Sequence, residues 1–429
     1  MPTTPDRALG QRPATDDTVT RRDVVQAAAV LAAAATAGPA LADGRTANPA
    51  AFAPFKVTVP QAALDDLKRR LGMTRWPEPA TEPGWLQGVP LDKLRRLVDY
   101  WQAGYDWRRF EARINAFPQF RTEIDGLGFH VLHVRSKHDN ALPLILSHGW
   151  PGSVAEFLKV IGPLTDPTAH GGRADDAFHL VIPSLPGYGF SDRPAAAGWD
   201  ARRIARAWAD LMTRLGYSHW VAQGGDWGAV VTNVLALQKP AGLAAIHLNL
   251  PLAIPASLEG EGATAAEGAA LAALRRFVTD GWGYNLMHQT RPQTIGYALA
   301  DSPVALAAWI YEKFAAWTDN DGDPETALSR DEMLDDITLY WLTNTGASSA
   351  RLYRENAKLG MSQGVVDFPV GLSIFPKEIF RTPRSWADKT YPNLIHWNEL
   401  DKGGHFAAFE QPMLFTQELR DCFRTVRKA

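Results

Sequence analysis

The stretch Gly224-Gly225-Asp226-Trp227-Gly228 constrains this chain more than any other. An apolar run, Trp220-Val221-Ala222, leads into it, and a helical pattern, Ala229 to Leu237, leads out. A strand that becomes a helix over so few residues needs small neighbours on both sides, because the two backbones pass close together. The central residue is then held at the tip of a strained turn, with its side chain beyond the end of the sheet. Here that residue is Asp226. A carboxylate at this point decides which chemistry the chain can perform.

The surrounding pattern says which fold the turn belongs to. Leu142 to Ser147 and Phe178 to Pro183 are continuous apolar runs, and Leu243 to Asn249 reads as a further strand. Helical patterns lie between them, including Phe157 to Leu164, which predicts a parallel sheet covered on both faces. Phe120 to Ile124 and Phe129 to Val134 alternate with period two around Asp125-Gly126, a hairpin signal. From about residue 251 to 360 the chain reads as helical, rich in Ala, Trp and Tyr, as a lid or cap would. Strand signals resume over Val365 to Phe375 and Leu394 to Trp397, then a loop, Asp401 to Glu410, and a closing helix, Met413 to Val426. Upstream, Phe55 to Pro60 predicts a short strand, and a helix follows with Ala63, Leu64, Leu67 and Leu71 on one face. Trp76-Pro77 ends that unit. Leu91 to Phe110 predicts one amphipathic helix, and Arg113 to Phe120 a connecting turn.

The fold class expected is therefore α/β, an α/β-hydrolase fold with a mostly parallel central sheet and a helical cap inserted after the half that carries the turn. The expected divisions are residues 1–42, 43–118, 119–250, 251–360 and 361–429. The first of these reads as an export signal. Arg21-Arg22 precedes the short apolar stretch Ala27 to Ala37, and Ala40-Leu41-Ala42 offers a cleavage site. This predicts twin-arginine export to the periplasm or beyond, with no stable membrane span after cleavage; the alternative is an uncleaved N-terminal anchor. At 429 residues and 46% hydrophobic the chain has ample material for a large core. A net charge of -3 gives no case for nucleic acid, and one cysteine, Cys422, excludes intramolecular disulfides and cysteine-based zinc sites.

The chemistry follows from what accompanies Asp226. His148-Gly149-Trp150-Pro151 sits just after a buried strand, where the second amide of an oxyanion hole is expected. The two amides would be those of Trp150 and Trp227, with His148 supporting the turn. His405, in Gly403-Gly404-His405-Phe406, follows the last strand, where the catalytic histidine belongs. Glu378 and Asp388 are candidates for its acid partner. Glu378 leads, because it follows the strand-like Leu372 to Phe375 and strand ends carry catalytic residues in such sheets. An aspartate, with an ordinary pKa of about 3.9, is ionised at neutral pH and can displace at a saturated carbon to form an alkyl ester. Water activated by His405 then attacks the carboxyl carbon of Asp226. The substrate expected is an epoxide or an alkyl halide, and no metal or organic cofactor is needed.

From about residue 52 onward the chain resembles the microsomal-type, or juvenile-hormone-type, epoxide hydrolases. The likeness rests on Phe55 to Pro77, His148 to Ser153, Gly224 to Gly228, Gly283-Tyr284, Gln289 to Gly296, Asp301-Ser302-Pro303, Arg351 to Asn356 and Gly403 to Glu410. It implies that Asp226 is the nucleophile, His405 the base and Glu378 the charge-relay acid. It further implies that Tyr284 and Tyr353 are the cap tyrosines that protonate the epoxide oxygen, and that the N-terminal region is a meander bracing the cap. The partners implied are a small hydrophobic epoxide and water. Asn285-Leu286-Met287-His288 departs from the usual family run. Two other readings remain: a haloalkane dehalogenase built on the same Asp-Trp pair, and an inactive α/β-hydrolase used for binding or transport.

Overall fold

The computed structural model describes residues 52–254, 264–358 and 364–427. The expected export segment, residues 1–42, lies outside them. The chain enters through a two-residue strand β1 (Ala53–Pro54), then helices α1 (Gln61–Gly72), α2 (Leu91–Ala103) and α3 (Trp107–Asn115). Next come β2 (Gln119–Ile124), β3 (Leu127–Val134), β4 (Leu142–Ser147), α4 (Leu158–Thr165), β5 (Phe178–Pro183) and α5 (Ala201–Arg214). The central strand β6 (Trp220–Gly224) leads to α6 (Trp227–Gln238) and β7 (Leu243–Leu248). A helical block follows: α7 (Ala265–Arg276), α8 (Gly283–Thr290), α9 (Pro292–Asp301), α10 (Pro303–Trp317), α11 (Arg330–Thr343) and α12 (Gly346–Glu355). The chain closes with β8 (Val370–Ile374), α13 (Arg384–Thr390), β9 (Leu394–Glu399), α14 (Ala407–Glu410) and α15 (Pro412–Phe423).

The strands form one sheet in the order β1-β2-β3-β5-β4-β6-β7-β8-β9. It is antiparallel from β1 to β5 and parallel from β5 to β9. The hairpin turns through Asp125 and Gly126, both at positive φ, which matches the right-handed twist of the strands. Strands β5, β6 and β8 are buried along their whole length, as expected of strands covered on both faces. The chain runs from β4 to β5 on one side and then returns to β6 on the other. This reversal opens a crevice at the carboxyl ends of β4 and β6, where ligands bind in such sheets.

Helices α2 and α3 hold the cap in place through one face of α11. The Tyr100 and Tyr105 hydroxyls donate to Asp331 and Asp335, each at 2.8 Å, and the Trp101 indole donates to Thr338 at 2.9 Å. The three acceptors sit at i, i+4 and i+7, so they share a single stripe of the helix. Buried Trp101, Trp107 and Phe110 add apolar contact worth about 1.5–3 kcal/mol each.

Several sequence expectations need correction. Phe55 to Pro60 is not a strand: β1 is Ala53–Pro54, and the Phe55 amide adds one bond to the Gln119 carbonyl of β2 at 2.9 Å before the chain leaves the sheet. Side chains of α3 stand in for a ladder, with Asn115 bonding both the amide and carbonyl of Val57, and Glu111 accepting from the Val59 amide. The single helix expected over Leu91 to Phe110 is two. The chain breaks at Gly104-Tyr105-Asp106, and Asp106 caps α3 by accepting from the Arg108 amide at 3.0 Å. Apolar spacing continues across the break, so periodicity alone merges the pair. The turn expected from Arg113 to Phe120 is narrower, because α3 reaches Asn115 and β2 begins at Gln119. The strand signal from Val365 becomes a ladder only at Val370, and the loop expected over Asp401 to Glu410 ends in α14.

Candidate active site

Register sets the site. Ser147 at the end of β4 pairs with Gly224 at the end of β6, so the loop after β4 lies beside the turn after β6. That turn has no room for side chains on its flanks. A Cβ on Gly224 would lie 2.1 Å from the Gly228 carbonyl oxygen, and one on Gly228 would lie 1.9 Å from the Ser147 oxygen. Asp226 between them has φ 50° and ψ −125°, a conformation a non-glycine residue adopts only when its surroundings impose it.

The Asp226 carboxylate is bracketed by donors. Its Oδ1 accepts the Trp150 amide at 2.8 Å. Gly149 permits this approach, since a Cβ there would lie 2.2 Å from the same oxygen. Trp227 opens α6, so its N–H has no intrahelical acceptor by position. His148 braces the turn: its Nε2 accepts the Leu185 amide at 3.1 Å and its Nδ1 donates to the Gly149 carbonyl. Burial pushes its pKa down to about 4, which keeps it neutral.

His405 and Glu378 come together on the other side of Asp226. His405 Nδ1 donates to Glu378 Oε1 at 2.6 Å, and Nε2 lies 3.4 Å from Asp226 Oδ2. A carboxylate only accepts, so Glu378 fixes the proton on Nδ1 and leaves Nε2 for chemistry. Glu378 Oε1 also accepts the Ile379 amide at 2.8 Å. Burial alone would lower the pKa of His405, but the charges and hydrogen bonds of Glu378 and Asp226 outweigh it and hold it well above the usual imidazole range. Asp388, the other acid candidate, is elsewhere: it pairs with Arg384 on the exposed face of α13.

Above Asp226 lies a cavity of about 100 Å³, walled by Trp227, Val230, Leu250, Leu252, Phe277 and Trp282, with Tyr284 and Tyr353 from the cap. Tyr284 stacks on Trp150, ring centroids 4.9 Å apart, and Tyr353 meets Trp227 edge-on at 4.9 Å. The Tyr353 hydroxyl is buried and has no hydrogen-bond partner among the described residues. Burial first, and then the Asp226 charge among their neighbours, raises the pKa of both phenols, so both keep their protons.

Sequence reasoning missed several residues around this centre. Trp317 accepts the His405 amide on its carbonyl at 2.8 Å, and its ring lies 5.0 Å from the imidazole. Glu410 accepts the amides of Asp319, Gly404 and Phe406, which pins the histidine loop to the cap, and burial pushes its pKa up to about 7. His288 accepts the Trp309 indole and lies 4.9 Å from Tyr353. Glu410 closes a motif already singled out, and His288 sits in the run that departs from the family. Neither carried a signal of its own role.

Comparison with known proteins agrees with the geometry. A family model described as "Epoxide hydrolase N terminus" matches residues 52–157, and one described as "alpha/beta hydrolase fold" matches residues 143–371. A Stigmatella aurantiaca protein provisionally named an epoxide hydrolase is 65% identical over 374 residues, 87% of this chain and 85% of that protein. Epoxide hydrolase 1 of Sus scrofa is 36% identical over 396 residues, 86% of this chain and 87% of its own. The solved structure of Aspergillus niger epoxide hydrolase superposes with a TM-score of 0.77 at 36% identity, covering 88% of this chain and 97% of that one. With its α/β-hydrolase sheet and epoxide hydrolase N-terminal region, the chain belongs to the microsomal-type epoxide hydrolase family.

Proposed function

We propose that the chain opens an epoxide to a vicinal diol through an alkyl ester of Asp226. The observation that carries this reading is the placement of Asp226 between three sets of groups. These are the Trp150 amide, the His405–Glu378 pair, and a cavity lined by two proton-bearing phenols.

Asp226 attacks an epoxide carbon, and the C–O bond breaks toward Tyr284 and Tyr353. The departing oxygen is far more basic than a phenolate, so a phenol with a raised pKa still gives up its proton to it. Esterification removes the charge of Asp226, and with it one of the two groups that hold the His405 pKa up. His405 Nε2 can then take a proton from water as the oxygen attacks Cγ of Asp226. The Trp150 and Trp227 amides stabilise the tetrahedral oxyanion. Collapse releases the diol and restores the carboxylate, and the proton on His405 returns to the tyrosinate. A halide would need no phenol, so the tyrosine pair favours an epoxide over a haloalkane.

His405→Gln tests the reading. Mixed with an epoxide, this variant should accumulate enzyme whose mass has risen by that of the substrate, with the adduct on Asp226. Absence of the adduct in a folded variant would refute the covalent route. We further propose that the protein acts after export. N-terminal sequencing of the periplasmic or secreted protein should find it starting at Asp43, and an intact N-terminus in a membrane fraction would favour the anchor.

A further inference from the structure

A second, smaller cavity lies behind Asp226. Its volume is about 20 Å³, enough for one water. Asp226 is the residue that lines both cavities. The front chamber is mostly apolar, whereas the rear one sets Glu156, Gln223, Asn249 and His405 against an apolar wall that includes Phe157, Phe406 and Phe415. Gln223 is 1% exposed; its amide nitrogen donates to Asn249 at 2.8 Å, while its Oε1 has no partner among the described residues. That oxygen is a buried acceptor awaiting a donor, a costly state unless something fills it.

Glu156 is the unusual wall. It sits in the apolar run Val154-Ala155-Glu156-Phe157, where the pattern alone would call for a hydrophobic residue. Its carboxyl occupies the space beside Gly152, where a Cβ would lie 1.4 Å from Oε1. Glycine at 152 therefore makes room for the carboxyl. The backbone there is fixed from behind: the Ser153 hydroxyl donates to Asp336 at 2.6 Å and the Tyr340 hydroxyl to the Gly152 carbonyl at 2.8 Å.

We propose that the rear cavity holds the water that hydrolyses the Asp226 ester, and that Glu156 is its positioning residue. This rests on the covalent reading above. A water with all four neighbours satisfied donates one proton to His405 Nε2 and the other to Gln223 Oε1. It accepts from the Glu156 carboxyl and turns its remaining lone pair to Cγ of Asp226. Burial, followed by the charge of Asp336, raises the pKa of Glu156, which favours the protonated carboxyl this arrangement uses. As the O–C bond forms, one water proton moves to His405; the ester C–O bond then breaks, the proton left on the attacking oxygen passing to the departing diol oxygen as the carboxylate re-forms. Glu156 ends as it began. Placing water behind Asp226 also keeps it off the epoxide in front, so the carboxylate reacts first.

The test separates the two half-reactions. Wild type, Glu156→Leu, Glu156→Gln and Gly152→Ala are mixed in excess with styrene oxide or cis-stilbene oxide, whichever wild type turns over faster. Quench-flow mass spectrometry then follows formation and decay of the ester. Glu156→Leu should slow decay by about 10²-fold, the loss expected when a reactant is misplaced by about an ångström, with formation within about twofold of wild type. Gly152→Ala, whose methyl displaces the carboxyl, should show the same split, and the isosteric Glu156→Gln should recover decay to within about tenfold of wild type. Equal slowing of both steps would mean a structural role and overturn the proposal, as would unchanged decay in Glu156→Leu and Gly152→Ala. If no ester forms in wild type or His405→Gln, the covalent reading itself fails, and this one with it.

Discussion

Replacing Tyr353 with phenylalanine should move stability and activity in opposite directions. The side chain is 2% exposed, and its hydroxyl has no hydrogen-bond partner among the described residues. A buried hydroxyl without a partner costs about 1–3 kcal/mol, and removing it leaves the ring contacts with Trp227 and His288 in place. Tyr353→Phe should therefore be neutral to stabilising, with Tm raised by up to about 3 °C in a chain of this size. The same change removes a proton donor from the ring-opening step, so ester formation should slow by about 10²–10⁴-fold, the usual contribution of a general acid, less whatever Tyr284 supplies alone. Ester decay, which depends on His405, should change by less than about threefold, well short of a general acid's contribution. Calorimetry gives the first quantity and single-turnover kinetics the other two. A variant of lower Tm with ester formation as fast as wild type would refute the reasoning, since the hydroxyl would then be a structural bond and not a donor held for substrate.

The turn itself should tolerate nothing at residue 228. Gly228→Ala would place a methyl 1.9 Å from the Ser147 carbonyl oxygen, so urea unfolding should show a loss of about 3 kcal/mol or more, while Gly268→Ala, where nothing lies within 4 Å, should match or exceed wild type. Equal stability of the two variants would show that the close approach is relieved cheaply. A third expectation concerns acid. Glu418 accepts from His396, Ser373 and Asn398, and these bonds outweigh burial to hold its pKa down at about 2. A depressed carboxylate stabilises fully above its unfolded pKa of about 4.3, and that stability is lost as pH falls from there through the folded value. Glu418→Gln should accordingly lose less stability than wild type between pH 5 and pH 3, and parallel curves would contradict the linkage.

Most of the sheet was legible because buried parallel strands are written as unbroken apolar runs, and the turn at Asp226 because sterics leave only glycine at 224 and 228. Asp226, His405 and Glu378 could be read for the same reason: each follows a strand end, and β4, β6, β8 and β9 bring those ends together. What could not be read was long-range substitution of one kind of bond for another. Asn115 and Glu111 take over the backbone groups of Val57 and Val59, so a segment patterned as a strand leaves the sheet after Phe55. The apolar face shared by α2 and α3 hid the break at Gly104. The place of Glu156 was invisible because Gln223 and His405, which line the same rear cavity, lie 67 and 249 positions away in the chain and come near it only in the finished fold.

The central claim is that Asp226, and not water, attacks the epoxide. A single turnover in H₂¹⁸O with enzyme in excess of substrate tests it most directly. If the ester forms and water attacks its carboxyl carbon, the label should enter the carboxylate of Asp226, detected by peptide mass, and the first diol released should be unlabelled. Label in that first diol, with none in Asp226, would contradict the account.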